Sequence, residues 1–222
     1  MTAAVMERAQ SANPISPEAM ASLALGLQRK LFDMPLHAHT SWAQVIDARW
    51  PFLGELSDRP GVAALRAELL VAQGGGLPAA TDLGAAEVQL ALQGREQVVR
   101  SLARLALARR PGVLRCAVER DARQALRSVL GELYPAVMAH SGRGRPVPYE
   151  VLRWTEMHWA CVGYHDWTTL LRPQDSLWRR MVRLSLPRGL LGMRARRRLA
   201  PADLKVRQAI QLLSDAERAW PC

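Results

Sequence analysis

Residues 102–131, LARLALARRPGVLRCAVERDARQALRSVLG, decide how this chain folds. Apolar residues here and just upstream (Val88, Leu92, Val99, Leu102, Leu105, Ala106) recur in steps of three and four up to Arg109-Arg110-Pro111-Gly112. After that break Val113, Leu114, Ala117, Val118, Ala122, Ala125, Leu126, Val129 and Leu130 repeat the pattern, and Gly131 loosens its end. A period near 3.6 marks amphipathic helices, and a Pro-Gly pair ends one and turns the chain. The spacing predicts two long helices, one within 84–109 and one from Val113, paired as an antiparallel αα-hairpin.

The flanking sequence extends the helical reading. Ser16-Pro17-Glu18 supplies a capping hydroxyl, a proline at the first helical position and an acid at the positive dipole end. Leu23, Leu27 and Leu31 then follow at helical spacing to about Phe32, and Pro35 stops that helix. Residues 37–42, HAHTSW, read as a loop into a short helix that Pro51 closes. A further helix starts at Pro60 and ends in Gly74-Gly75-Gly76, read as a flexible joint. Beyond a linker at 141–148, helices are expected from Tyr149 to Leu171, over 175–186 and from a start at Pro201-Ala202-Asp203 to about Ala219, with a basic turn or frayed helix between Pro187 and Arg198. The expected fold is all-α, a multi-helix bundle around the central hairpin. It divides into a disordered tail (1–15), a helical domain (16–140), the linker (141–148) and a basic C-terminal helical segment (149–222).

Composition agrees. Of 222 residues 49% are hydrophobic, mostly Ala, Leu and Val, with two Phe, which suits helices better than a large sheet. The net charge of +10 is uneven: residues 1–140 carry +2 and residues 141–222 carry +8. Residues 172–198 hold nine Arg against one Asp and so account for the local excess. Such a patch favours an acidic partner. Three widely spaced cysteines form no disulfide framework, no apolar run is long enough to span a bilayer, and no leader is evident. The expected location is a reducing cytoplasm.

The motifs of common enzyme classes are absent: no nucleophile elbow, zinc-protease helix, phosphate-binding loop or dinucleotide fingerprint occurs. His158, Cys161 and His165 share a helical face and could in principle ligate zinc with Asp166. No second ligand pair accompanies them, so the expectation is no metal, no cofactor and no catalytic residue. Cys116 reads as a small core residue, and alternate His37 and His39 make no site. Trp154, Trp159, Trp167 and Trp178 are interleaved with Arg153, Arg172, Arg179 and Arg180. That mixture suits a protein-binding face or, as the alternative, a nucleic-acid-binding regulator that stacks bases on its tryptophans. Nucleic acid is disfavoured because no reading module accompanies the patch. The expected partner-binding residues are Trp178, Arg179, Arg180, Arg183, Arg194, Arg196, Arg197 and Arg198.

Residues 102–131 resemble the core of the type III secretion sorting-platform adaptor family (SctK/YscK-like), closest to its Hrp branch in plant-associated bacteria. Pro35-Leu36-His37 with Ser41-Trp42 is similar to a Leu-His-x-Ser-Trp element of that family, with two extra residues before the Ser-Trp. The stretch 177–190, LWRRMVRLSLPRGL, also has an Hrp-branch look. The resemblance covers about 35–190. It implies a non-enzymatic, helical, cytoplasmic adaptor, peripheral to the inner membrane. Its implied partners are the pod (C-ring) protein and the cytoplasmic domain of the inner-membrane ring protein, with no small-molecule substrate.

Overall fold

The computed structural model describes residues 16–42, 60–77, 86–143, 147–171, 175–189 and 202–219. Among them every regular element is a helix and none is a strand, so the all-α expectation holds. In chain order the α-helices are α1 (Pro17–Phe32), α2 (Met34–His37), α3 (Pro60–Gln73), α4 (Ala86–Leu92), α5 (Arg95–Ala108) and α6 (Gly112–Cys116). They continue with α7 (Arg120–Leu130), α8 (Tyr134–Ala139), α9 (Glu156–Thr168), α10 (Ser176–Leu184) and α11 (Val206–Ala219). Short 3-10 turns occur at Thr40–Trp42, Gly131–Leu133, Ser141–Arg143 and Tyr149–Arg153. The tail 1–15, the helix expected before Pro51, and Arg194 to Arg198 lie outside the described residues.

α1 begins as its sequence requires. The Ala19 N–H donates to Ser16 Oγ at 3.2 Å, Pro17 takes the first helical position, and Arg29 and Lys30 occupy the last turn. α1 packs on α3, and α4 packs on α10.

α5 is the central rod. From Leu105 to Ala108 all four residues are buried, so this turn is enclosed on every side, which is why its composition is apolar all round. Its principal neighbour is α9, and α11 also lies along it. The α5–α9 contact is set by size. A Cβ on Gly163 would fall 1.8 Å from the carbonyl oxygen of Leu102, so the two backbones touch where only glycine fits. Arg100, in the first half of α5, meets Glu156 at the start of α9, and Arg109 and Arg110, just past the end of α5, meet Asp166 in the last turn of α9. The helices therefore run in the same sense.

This arrangement differs from the sequence reading in several places. The helix expected over 84–109 is interrupted at Gln93-Gly94, where the chain turns from α4 into α5. The second rod expected from Val113 is two helices, because the chain makes a tight turn at Ala117, with the Val118 N–H donating to Cys116 O at 2.9 Å, and is extended at Glu119. The carbonyls freed there are met by Arg123, which donates to Ala117 O at 3.3 Å and Val118 O at 3.4 Å. α7 does touch α5, with Arg104 Nε donating to Val129 O at 3.1 Å. The closest helix to α5 nevertheless comes from residues 156–168, beyond the linker. The helix expected from Tyr149 begins only at Glu156, where Thr155 and His158 form a capping box.

Gly74 to Gly76 is a built turn rather than a flexible joint. Gly75 and Gly76 hold φ of +88° and +105°, a region that L side chains rarely adopt. Gly74 sits against α10, where an added Cβ would approach Leu177 Cα to 3.0 Å, and Ser176 Oγ donates to its carbonyl. The hydrophobic core runs from Leu27 to Ala209 and takes residues from both sides of the linker, since α5 and α9 are packed directly together.

Gly163→Ala is expected to force α5 and α9 apart and to cost about 3 kcal/mol or more, within the range of severe overpacking. Gly26→Ala, in α1 with open space at its Cβ, is expected to be neutral or stabilising by up to about 1 kcal/mol. Urea unfolding of both variants separates the two effects.

Candidate functional site

The C-terminal ends of α5 and α9 meet in a buried ion cluster. Asp166 accepts from Arg110 through both oxygens, Oδ2 at 2.6 Å and Oδ1 at 3.2 Å, and its Oδ1 also accepts from Arg109. Arg110 further donates to Ala106 O at 3.2 Å, and Arg109 Nε donates to Leu204 O at 3.0 Å. The Arg109 carbonyl accepts the N–H groups of Asp203, at 2.8 Å, and Leu204, at 3.2 Å. One dipeptide thus ties α5, α9 and the chain entering α11 together. Burial pulls the Arg109 guanidinium below its ordinary value, Asp166 opposes this, and Arg110 adds to it. Two cations share one carboxylate, so the cluster is structural and committed.

That commitment removes Asp166 from any metal site. Of its presumed companions, His158 Nδ1 is occupied by the N-cap, 2.8 Å from Thr155 Oγ1 and 3.3 Å from the Thr155 nitrogen, while its ring stacks on Trp154. Cys161 is buried, and burial pushes its thiol up to about 11, so it is not an activated nucleophile near neutral pH. Among the described residues no three His, Cys, Asp or Glu side chains are grouped to hold a metal ion. Cys116, on α6, is partly buried against the core.

The tryptophans separate by burial. Trp159, Trp167 and Trp178 are 0%, 2% and 1% exposed, while Trp154 is partly buried against the same core. Trp178 is therefore corrected from a partner-binding residue to a core residue. It lies with Leu177, Met181 and Val182 on the inner face of α10, whereas Arg179, Arg180 and Arg183 stay half-buried. The pattern of α10 alternates too steeply for its Trp and its Arg to share one face. Arg194, Arg196, Arg197 and Arg198 lie outside the described residues.

The structure also brings together two segments that sequence reasoning left apart. The 3-10 turn Thr40–Trp42 closes over the C-terminal end of α10. His39 N–H donates to Leu184 O at 2.7 Å, Trp42 Nε1 to Leu186 O at 2.7 Å, and the Arg188 N–H to Ser41 Oγ at 3.0 Å. Arg183 lies over the Trp42 ring at 4.4 Å and donates to the carbonyls of Leu186, Pro187 and Arg188 at 3.3–3.5 Å. A cation over an aromatic face in the last turn of a helix gains from both the ring quadrupole and the dipole. Arg183 was expected at the partner surface; its guanidinium is instead spent on holding this seam. Trp42, outside the Trp-rich cluster, gave no signal of this role beyond its place after Ser41.

Lys30 is a further group that sequence reasoning passed over. It is 3% exposed, donates to Gln93 O at the α4–α5 break, and burial lowers its pKa to about 8.

Two measurements follow. Asp166→Asn leaves two buried guanidiniums without their carboxylate and is expected to cost about 3–5 kcal/mol in urea unfolding. For Lys30, the ammonium is penalised in the folded state, so between pH 8 and 10.5 the folded chain sheds this proton before the unfolded chain does. Stability from this group is lowest below pH 8 and rises by about 2–3 kcal/mol across that window. Cys161 and Tyr164, whose pKa values burial raises, act in the opposite direction over similar pH. Subtracting a Lys30→Met variant from wild type isolates the Lys30 part, and the variant is expected to be the more stable of the two at pH 7.

Comparison of the chain with protein-family models, with curated proteins and with solved structures gives no match in any of the three.

Proposed function

We propose that this chain is a non-enzymatic adaptor of a bacterial type III protein secretion apparatus, linking the pod protein of the cytoplasmic sorting platform to the inner-membrane ring. The observation that carries the reading is the seam between Thr40–Trp42 and the end of α10. Two of the segments that resemble the adaptor family, Ser41-Trp42 and 177–190, are more than 130 residues apart in sequence yet bond to each other through Trp42, Ser41, Arg183 and Arg188. A rigid helical body also supports it, since an adaptor must hold two partners at a fixed separation. No helix among the described residues is long and apolar enough to cross a membrane, which suits a protein held at the inner membrane through protein partners on its cytoplasmic side.

The nucleic-acid alternative loses its main support with the burial of Trp159, Trp167 and Trp178, because a base cannot stack on a ring enclosed in the core. What is left to it is charge and the partly buried Trp154.

Capture from the native host with the full chain as bait, followed by mass spectrometry, is expected to recover the pod and ring proteins. Deleting the protein is expected to abolish export, and replacing Arg194, Arg196, Arg197 and Arg198 with Ser is expected to weaken capture while the helical circular dichroism stays unchanged. Normal export in the deletion strain overturns the proposal.

A further inference from the structure

Positive charge collects around the seam. Lys30, in the last turn of α1, donates to Gln93 O, which ties the chain leading into the 37–42 segment to the α4–α5 break two residues before Arg95. Partial burial lowers the pKa of His39, and Arg95 is close enough to lower it further. His37 is lowered in the same way by burial and by Lys30, with Asp33 offsetting part of the effect. Arg188 is exposed and adds its charge beside Arg183. His39, Arg95 and Arg188, from the 37–42 segment, α5 and the end of α10, therefore share one neighbourhood, and buried Lys30 and committed Arg183 add only potential to it.

The donors there are not equivalent. Arg183 is occupied by three carbonyls and the Trp42 ring. His39 Nδ1 is occupied as well, accepting from the Ser41 N–H at 3.1 Å with Ser41 Oγ 3.0 Å away, which leaves Nε2 as the outward donor of the ring. The guanidiniums of Arg95 and Arg188 have no ion-pair partner among the described residues. Leu36, 79% exposed, stands in the same segment as an apolar anchor.

We propose that His39, Arg95 and Arg188, with Leu36 beside them, form a docking site for an acidic segment of a partner protein, and that Arg183 is a positioning residue that holds the site through Trp42. This deepens the adaptor reading and rests on it. Carboxylates match guanidiniums in forked pairs, and the exposed leucine gives a side chain of the partner something to cover. A bilayer fits less well: the apolar residues of α10 (Leu177, Trp178, Met181, Val182) are all turned into the protein's own core, so this helix has no face left to enter lipid.

The test uses the full chain and a fluorescein-labelled peptide of Glu, Asp and Leu, read by anisotropy at low and high salt, with a Gln/Asn/Leu peptide as control. The acidic peptide is expected to bind at low salt and the control not to bind. Arg95→Gln with Arg188→Gln is expected to weaken binding at least about tenfold, a loss typical of desolvated charge pairs. Arg120→Gln, on α7 and outside this cluster, is expected to bind as wild type. Unchanged circular dichroism of the double variant keeps a loss of binding attributable to the two charges. Arg183→Lys is expected to weaken the peptide and to shift the Trp42 indole N–H resonance, identified with Trp42→Phe, because lysine cannot reach three carbonyls and the ring together. Equal peptide binding by the double variant overturns the site yet leaves the adaptor reading standing if the host capture succeeds. Tighter binding to anionic vesicles or duplex DNA than to the peptide, lost in the same variant, overturns the assignment to a protein partner.

Discussion

The carboxylate of Asp166 lies between two guanidiniums, and the fold depends on that arrangement. α5 and α9 run in the same sense, so the negative ends of two helix dipoles arrive side by side, with a full negative charge added by Asp166. Arg109 and Arg110 sit where that charge accumulates. Taking three ions out of water is expensive, and a well-packed apolar trio can be at least as stable. What the ions supply is geometry: a bidentate contact from Arg110 and a hydrogen bond from Arg109 accept only one register of α9 along α5. Gly163, one turn before Asp166, enforces the same register sterically by admitting the Leu102 carbonyl. Electrostatics and size select one alignment.

From that alignment the rest is positioned. The Arg109 carbonyl and Nε hold residues 203 and 204, which launches α11 back along α5. α9 carries Trp159 and Trp167 into the core, and Tyr164 reaches out to α10, its hydroxyl 3.3 Å from the Arg179 carbonyl. α10 in turn is held at its start by Gly74 and Ser176 and at its end by Trp42 and Arg183. The basic helix is thus pinned at both ends, with its inner face in the core and its arginines half-buried.

Much of this was legible in the sequence and some could not be. Helix type and most boundaries follow from local signals: Ser16-Pro17 for α1, and Pro60 and Gly74 for α3. The pairing of helices is a different matter. Pro111-Gly112 is a sound turn signal, and a turn argues for an antiparallel neighbour, yet the neighbour that wins is parallel and over fifty residues distant. Nothing local marks Gly163 as a contact point, because glycine in a helix is equally a weak spot or a close approach, and only the Leu102 carbonyl distinguishes them. The break at Ala117–Glu119 was hidden for a related reason: its freed carbonyls are satisfied by Arg123, a side chain whose sequence position reads as an ordinary surface arginine.

The same reasoning explains why the surface was harder to read than the core. A run of arginines announces charge but not which guanidiniums are available. Arg109, Arg110 and Arg183 are each committed to carbonyls, a carboxylate or a ring, and a residue so committed contributes potential but few hydrogen bonds to a partner. Arg95 and Arg188 are ordinary in the sequence, one at a helix start and one after Pro187. They gain significance only because the 37–42 segment folds over α10 and gathers them around His39. Charge density along a chain is therefore a poor guide to a docking site, and the cations left uncommitted after the fold has taken its share are the better one.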